Sequence, residues 1–267
     1  MSAAVVTGAS RGIGWQFARA LASRGYDLVL VARDGAALED IALRLRAEFS
    51  VVVEVCRADL STREGLSTVR GRAAEAEVLV NNAGAGTGVS FSSTEWTAER
   101  DLLALNVLAP AALTHAALRG MLQRGRGRIL NISSVAGSGP AWQGTAYGAS
   151  RAFVTRLTED LAYSRQVRRS DVAVMAAVLG HVDSNFHAAA GIVPSPPLLT
   201  LKPEFVAHAV VRALHRRRPP VRYVPSWRYR VLDTLLHHAP ARTMTIPGLA
   251  DDFTTSRFGN SEFPRGT

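Results

Sequence analysis

The chain has 267 residues, 47% of them hydrophobic, with a net charge of +9. That size suits one α/β domain with a large buried core, and no charge-dominated or low-complexity block points to disorder. The single cysteine, Cys56, excludes an intrachain disulfide; Lys202 is the only lysine, so the basicity is an arginine bias that, without a recognition module beside it, argues against nucleic-acid binding.

In chain order, Val5-Val6 leads into a glycine loop and an Ala/Leu/Arg helix over Trp15 to Arg24. Met1 to Ser10 lacks a basic leader and a cleavage site, so it reads as the first strand and not as a signal peptide. Asp27 to Ala32 is a continuous apolar strand, the pattern of a sheet covered on both faces. A helix is expected over Ala36 to Phe49, a strand over Val51 to Cys56, a helix over Glu64 to Ala74 and a strand over Val78 to Val80. One or two helices follow within Glu95 to Gln123, then a strand over Arg128 to Ile132, a long helix over Tyr147 to Ser164 and a strand over Val172 to Val178. Residues 183–201 read as an apolar loop, Glu204 to His215 as a helix and Val221 to Val224 as a seventh strand. Strands and helices alternating at this spacing predict a doubly wound, mostly parallel Rossmann sheet of about seven strands with right-handed crossovers. A single domain over residues 1–240 is expected, with a polar tail over 241–267 that is mobile or packs on another subunit. No stretch reaches about 18 uninterrupted apolar residues, so no membrane-spanning helix is expected, and the cytoplasm is the expected location. No His, Cys or Asp spacing resembles a metal site.

Thr7-Gly8-Ala9-Ser10-Arg11-Gly12-Ile13-Gly14 joins the first strand to the first helix. Glycines there let backbone N–H groups approach a pyrophosphate, and the helix N-terminus adds its positive end. The spacing is Gly-x3-Gly-x-Gly. With Asp59-Leu60 after the third strand, Asn81-Asn82-Ala83-Gly84 after the fourth and Asn106 in the following helix, the chain resembles the short-chain dehydrogenase/reductase family over about residues 3–215. The resemblance implies a nicotinamide dinucleotide held by Gly8, Ser10, Arg11, Gly12, Ile13, Gly14, Arg33, Asp59, Leu60, Asn82, Ala83, Gly84, Tyr147, Arg151, Val182 and Ser184.

Cofactor choice follows from charge. A site preferring NAD places a carboxylate at the end of the second strand, on the ribose 2′-hydroxyl. Here the strand ends Val31-Ala32-Arg33, with Asp34 one place later and Arg11 inside the loop. Guanidinium groups suit a 2′-phosphate, so NADP(H) is preferred over NAD(H), although an Asp34 directed at the ribose would reverse the choice.

Ser134 and Tyr147 have the spacing of the family's catalytic serine and tyrosine, and Arg151 lies one helical turn after the tyrosine. The resemblance assigns Ser134 to the substrate oxygen and Tyr147 to general acid–base work while hydride moves between nicotinamide C4 and a carbonyl carbon. A phenol with a pKa of about 10 needs a neighbouring cation for this. In the family that cation is a lysine, connected to a water relay through an asparagine, here Asn106; this chain has Arg151. Arginine keeps the charge but is bulkier, planar and never deprotonated. Two readings stand: the chain-wide use of arginine for lysine, or altered chemistry with a structural nucleotide. A second departure is Leu179-Gly180-His181-Val182-Asp183-Ser184, where the family has Pro-Gly-x-Val-x-Thr against the nicotinamide carboxamide.

The loop after the sixth strand, with Phe186 and Ile192, is apolar, and an apolar or aromatic small-molecule substrate fits it as well as ordinary packing does. Trp142, His181 and His187 are further candidates for the substrate wall, His181 and His187 reading also as ordinary surface histidines. Residues 212–230 carry seven arginines with interleaved aromatics. A packed strand with a solvated face is favoured there over contact with an anionic membrane surface or an acidic carrier protein. A homodimer or homotetramer is the family's habit, and the apolar run Ala109 to Leu118 allows it.

Overall fold

The computed structural model describes residues 3–88, 90–139, 146–184 and 197–238. Seven parallel strands form one sheet: β1 (Ala3–Thr7), β2 (Asp27–Ala32), β3 (Val53–Arg57), β4 (Val78–Asn81), β5 (Arg126–Ser134), β6 (Asp171–Leu179) and β7 (Arg222–Tyr223). Their order is β3-β2-β1-β4-β5-β6-β7, so the winding reverses between β1 and β4. In such a sheet the crevice beyond the strand C-termini at the reversal is where ligands bind.

The strands are apolar on both sides because both faces are covered. Ala4 and Val6 of β1 join Phe17 and Leu21 of α1 (Gly12–Ala22), Leu38 and Leu45 of α2 (Gly35–Glu48), and Val206 and Val210 of α8 (Pro203–Leu214). Val5 faces the other core, with Val69 of α3 (Arg63–Glu75), Leu113 and Met121 of α5 (Ala109–Arg124) and Ala162 of α6 (Ala146–Tyr163). Alternation along a strand thus feeds two helical layers. Cys56 is buried in the second core, where burial pushes its thiol up.

Helix α4 (Trp96–Leu103) runs through a π-helical turn, Ala104–Leu108, directly into α5. The combined run Trp96–Arg124 is long and apolar enough by length and composition to cross a membrane, although it holds no 18 uninterrupted apolar residues. Its inner face packs on α3, β4, β5 and α6, as a core helix does. The short helix α7 (Arg165–Arg168) and helix α9 (Trp227–His238) were not foreseen. The basic region 212–230 is consequently not one face. Arg212 lies in the last turn of α8, Arg222 and Tyr223 form β7, and Trp227 to Arg230 open α9.

Candidate active site

A cleft of about 1310 Å³ opens at the C-terminal edge of the sheet. Gly8, Ser10, Arg11, Gly12, Ile13 and Gly14 line one end, with Arg33, Asp59, Leu60, Asn82, Ala83 and Gly84 beside them. Ser134, Tyr147, Arg151, Val182 and Ser184 line the other end. A shallower depression near Gln166 and Asp171 carries none of these motifs.

Thr7 ties the two loops of the nucleotide end together. Its hydroxyl donates to Val80 O (3.2 Å) and accepts from the N–H groups of Asn82 (2.9 Å) and Ala83 (3.0 Å). Asn82 Nδ2 returns a bond to Thr7 O (2.9 Å). Helix α1 begins against this frame so closely that a Cβ on Gly14 would sit 2.1 Å from Gly8 O, which only glycine permits. The first turn of α1 holds no acidic residue, leaving its positive end open to an anion.

Arg33 and Arg11 are exposed at this end of the cleft. Asp34, the residue that could reverse the cofactor choice, uses Oδ1 to accept from Ala37 N (3.0 Å) as the N-cap of α2. Burial works to raise the Asp59 carboxyl, but the Ser61 hydroxyl (2.7 Å), the Ser61 N–H (3.0 Å) and the Arg33 charge outweigh it and hold the group below its ordinary value.

At the other end β5 delivers Ser134, and the first turn of α6 delivers Tyr147. Ser133 fixes their relation: its hydroxyl donates to Arg151 O (2.9 Å), joining the strand tip to the helix. Ser134 Oγ accepts from Ala136 N (3.2 Å), so its own hydrogen is available for a substrate oxygen. The guanidinium carbon of Arg151 lies 5.0 Å from the centroid of the Tyr147 ring, a cation–π contact.

Arg151 is 5% exposed. It donates to Ile132 O and Asn106 Oδ1, both at 3.3 Å, while its Nε has no partner. Room for the fork comes from Gly84, where a Cβ would sit 2.0 Å from Nη2. Asn106 belongs to the π-helical turn and does not line the cleft. It is fully buried, accepting from Ala85 N (3.0 Å) and donating to Ala85 O (2.8 Å). Asn106 therefore bears on the site through Arg151 and the 84–85 backbone.

His181 departs from expectation: it does not line the cleft, while its neighbours Gly180 and Val182 do, in keeping with the alternation of extended chain. Burial pushes its imidazole below the ordinary value, against the opposing charge of Asp183. Trp142, Phe186, His187 and Ile192 lie outside the described residues, as does the tail 241–267. Tyr229 of α9 escaped the sequence reading. Its hydroxyl reaches the loop after β6, and the signal was its place with Asp233 on the buried face of α9.

A doubly wound parallel sheet with a glycine-edged cleft at its reversal defines a Rossmann-type dinucleotide-binding scaffold. The short chain dehydrogenase family profile matches residues 2–191, and the chain belongs to that family. It is 35% identical over 178 residues to a very-long-chain 3-oxoacyl-CoA reductase of Laccaria bicolor, covering 64% of this chain and 52% of that protein. It is 31% identical over 203 residues to the human inactive hydroxysteroid dehydrogenase-like protein 1, covering 72% and 62%. The chain thus spans little more than half the length of the first of these. A short-chain dehydrogenase from Sphingobium yanoikuyae, solved in complex with NADPH, superposes with a TM-score of 0.80 at 31% identity, covering 97% of this chain and 99% of that one.

Proposed function

We propose that the chain is an NADP(H)-dependent oxidoreductase that interconverts a carbonyl and a secondary alcohol on a mostly apolar small molecule. The observation that carries this reading is the convergence of Ser134, Tyr147 and Arg151 on one end of the cleft whose other end is glycine-edged and arginine-flanked. The NADPH-bound neighbour supports the cofactor, and the 3-oxoacyl-CoA reductase relative supports an acyl-chain ketone as one substrate type.

The site suits the cofactor on its own chemistry. Arg11 and Arg33 offer forked donors to a 2′-phosphate, and the N-terminus of α1 offers its N–H groups to the pyrophosphate. The buried charge of Arg151, with an unsatisfied Nε and no carboxylate partner among the described residues, suits sugar hydroxyls beside it. When bound, the reduced nicotinamide supplies a hydride.

Every other part of the reaction falls to the chain. Ser134 donates its hydroxyl hydrogen to the substrate oxygen and holds it near Tyr147. Tyr147 gives its phenolic proton to that oxygen in reduction and takes it back in oxidation. Arg151, across the ring face, stabilises the negative charge that Tyr147 acquires. Arg151 acts as a fixed charge and not as a proton carrier, so Tyr147 must be reprotonated from solvent.

Tyr147→Phe is expected to lower turnover on the order of 10²- to 10⁴-fold while NADPH affinity stays within about twofold. Turnover unchanged in that variant, measured by NADPH oxidation with an apolar ketone, contradicts the mechanism. A second reading keeps the nucleotide as structural and uses Tyr147 and Ser134 for non-redox acid–base chemistry. Arg151 in the place of lysine and the relative named as inactive favour it. Product formed with no change in cofactor absorbance selects that reading.

A further inference from the structure

Gly180, Val182 and Ser184 line the cleft on the segment that leaves β6. An extended segment entered through glycine has a wide choice of conformations unless something outside it restricts them. Tyr229 of α9 supplies the restriction. A Cβ on Gly180 would sit 2.1 Å from the Tyr229 ring, so the ring lies directly against the bare backbone. The Tyr229 hydroxyl accepts from His181 N (2.9 Å) and donates to Leu199 O (2.7 Å). Those two segments are also joined to each other, Leu201 N donating to His181 O and Asp183 N to Leu201 O, both at 2.9 Å. Tyr229 is 4% exposed, and burial pushes its phenol up, so it remains a donor across the working pH range.

One turn further along α9, Asp233 accepts from the Ser138 hydroxyl and from Arg222. Ser138 caps the short 3-10 turn that follows Ser134. A single helix face therefore holds the exit loops of both β5 and β6, the two loops that carry Ser134 and Val182.

We infer that Tyr229 is a positioning residue that sets the 180–184 segment against the nicotinamide half of the cofactor. The inference rests on the reading that the cleft takes NADP(H). The adenine half would be held by the loops after β1, β2, β3 and β4, which Tyr229 does not touch, so the effect of losing its hydroxyl falls on one half of the ligand.

The test compares NADPH with adenosine 2′,5′-bisphosphate, which carries the adenine end alone, by equilibrium binding to the full chain. In Tyr229→Phe the ring stays and both hydrogen bonds of the hydroxyl go. NADPH affinity is expected to fall about tenfold while bisphosphate affinity stays within about twofold. Gly180→Ala, whose new methyl displaces the ring, is expected to give the same split. An unchanged NADPH affinity in Tyr229→Phe, or equal weakening of both ligands, overturns the inference and leaves Tyr229 as packing. Wild-type protein that binds neither ligand overturns the cofactor reading and this inference together, whereas normal wild-type binding with an unaffected variant overturns this inference alone.

Discussion

Arg151 places its charge in the protein interior against one carbonyl oxygen, an amide oxygen and an aromatic ring. Its fork fits because Gly84 has no side chain. Gly84→Ala should push the guanidinium aside, costing about 1–3 kcal/mol of stability and lowering turnover together. Thermal unfolding and NADPH oxidation check this, and wild-type values for both would show that the fork has other room. At the nucleotide end, Arg33→Ala should weaken NADPH by about tenfold or more and leave NADH nearly unchanged, since a charge-assisted bond is worth about 1.5–3 kcal/mol. Equal effects on the two cofactors would remove Arg33 from the 2′-phosphate. Sequence motifs identified these residues because backbone and charge at such a site depend on few side chains. What no motif carried was the orphaned Nε, the seat of Asn106 behind Arg151, or the turning of His181 off the cleft, all of which depend on packing between elements.

Most elements lie within a few residues of where hydrophobic periodicity places them. The strands were plain because burial on both faces makes them short continuous apolar runs. Helix α9 was hidden: it follows a prolyl, arginine-rich stretch, and its inner face includes Asp233, a charge that becomes intelligible only with Ser138 and Arg222 beside it. Helix α8 contributes a pH response. His215 at its end donates from Nδ1 to Val211 O (2.8 Å) and accepts at Nε2 from the Tyr26 hydroxyl (3.1 Å), an arrangement the neutral ring satisfies. Burial holds this imidazole below its ordinary value. Between the folded value and the unfolded value of about 6.5 the unfolded chain binds more protons, so stability rises with pH there. The stabilisation is complete above about pH 6.5 and is lost as pH falls through the folded value; His181, lowered by burial as well, adds a contribution of the same sign. The melting temperature should therefore drop on acidification below about pH 6.5, less steeply in His215→Asn. An identical slope in that variant would assign the response to other groups.

Across the whole molecule, two helical layers fix the sheet, the winding reversal fixes the crevice, and loops from β1 to β6 furnish it. Whether this crevice is a working NADP(H) site is decided by titration with NADPH and with NADH, followed by absorbance of the reduced nicotinamide in the presence of apolar ketones. NADPH should bind more tightly than NADH and be oxidised in a ketone-dependent way. Equal or weaker binding of NADPH contradicts the cofactor assignment, and tight binding with no oxidation by any ketone contradicts the redox assignment.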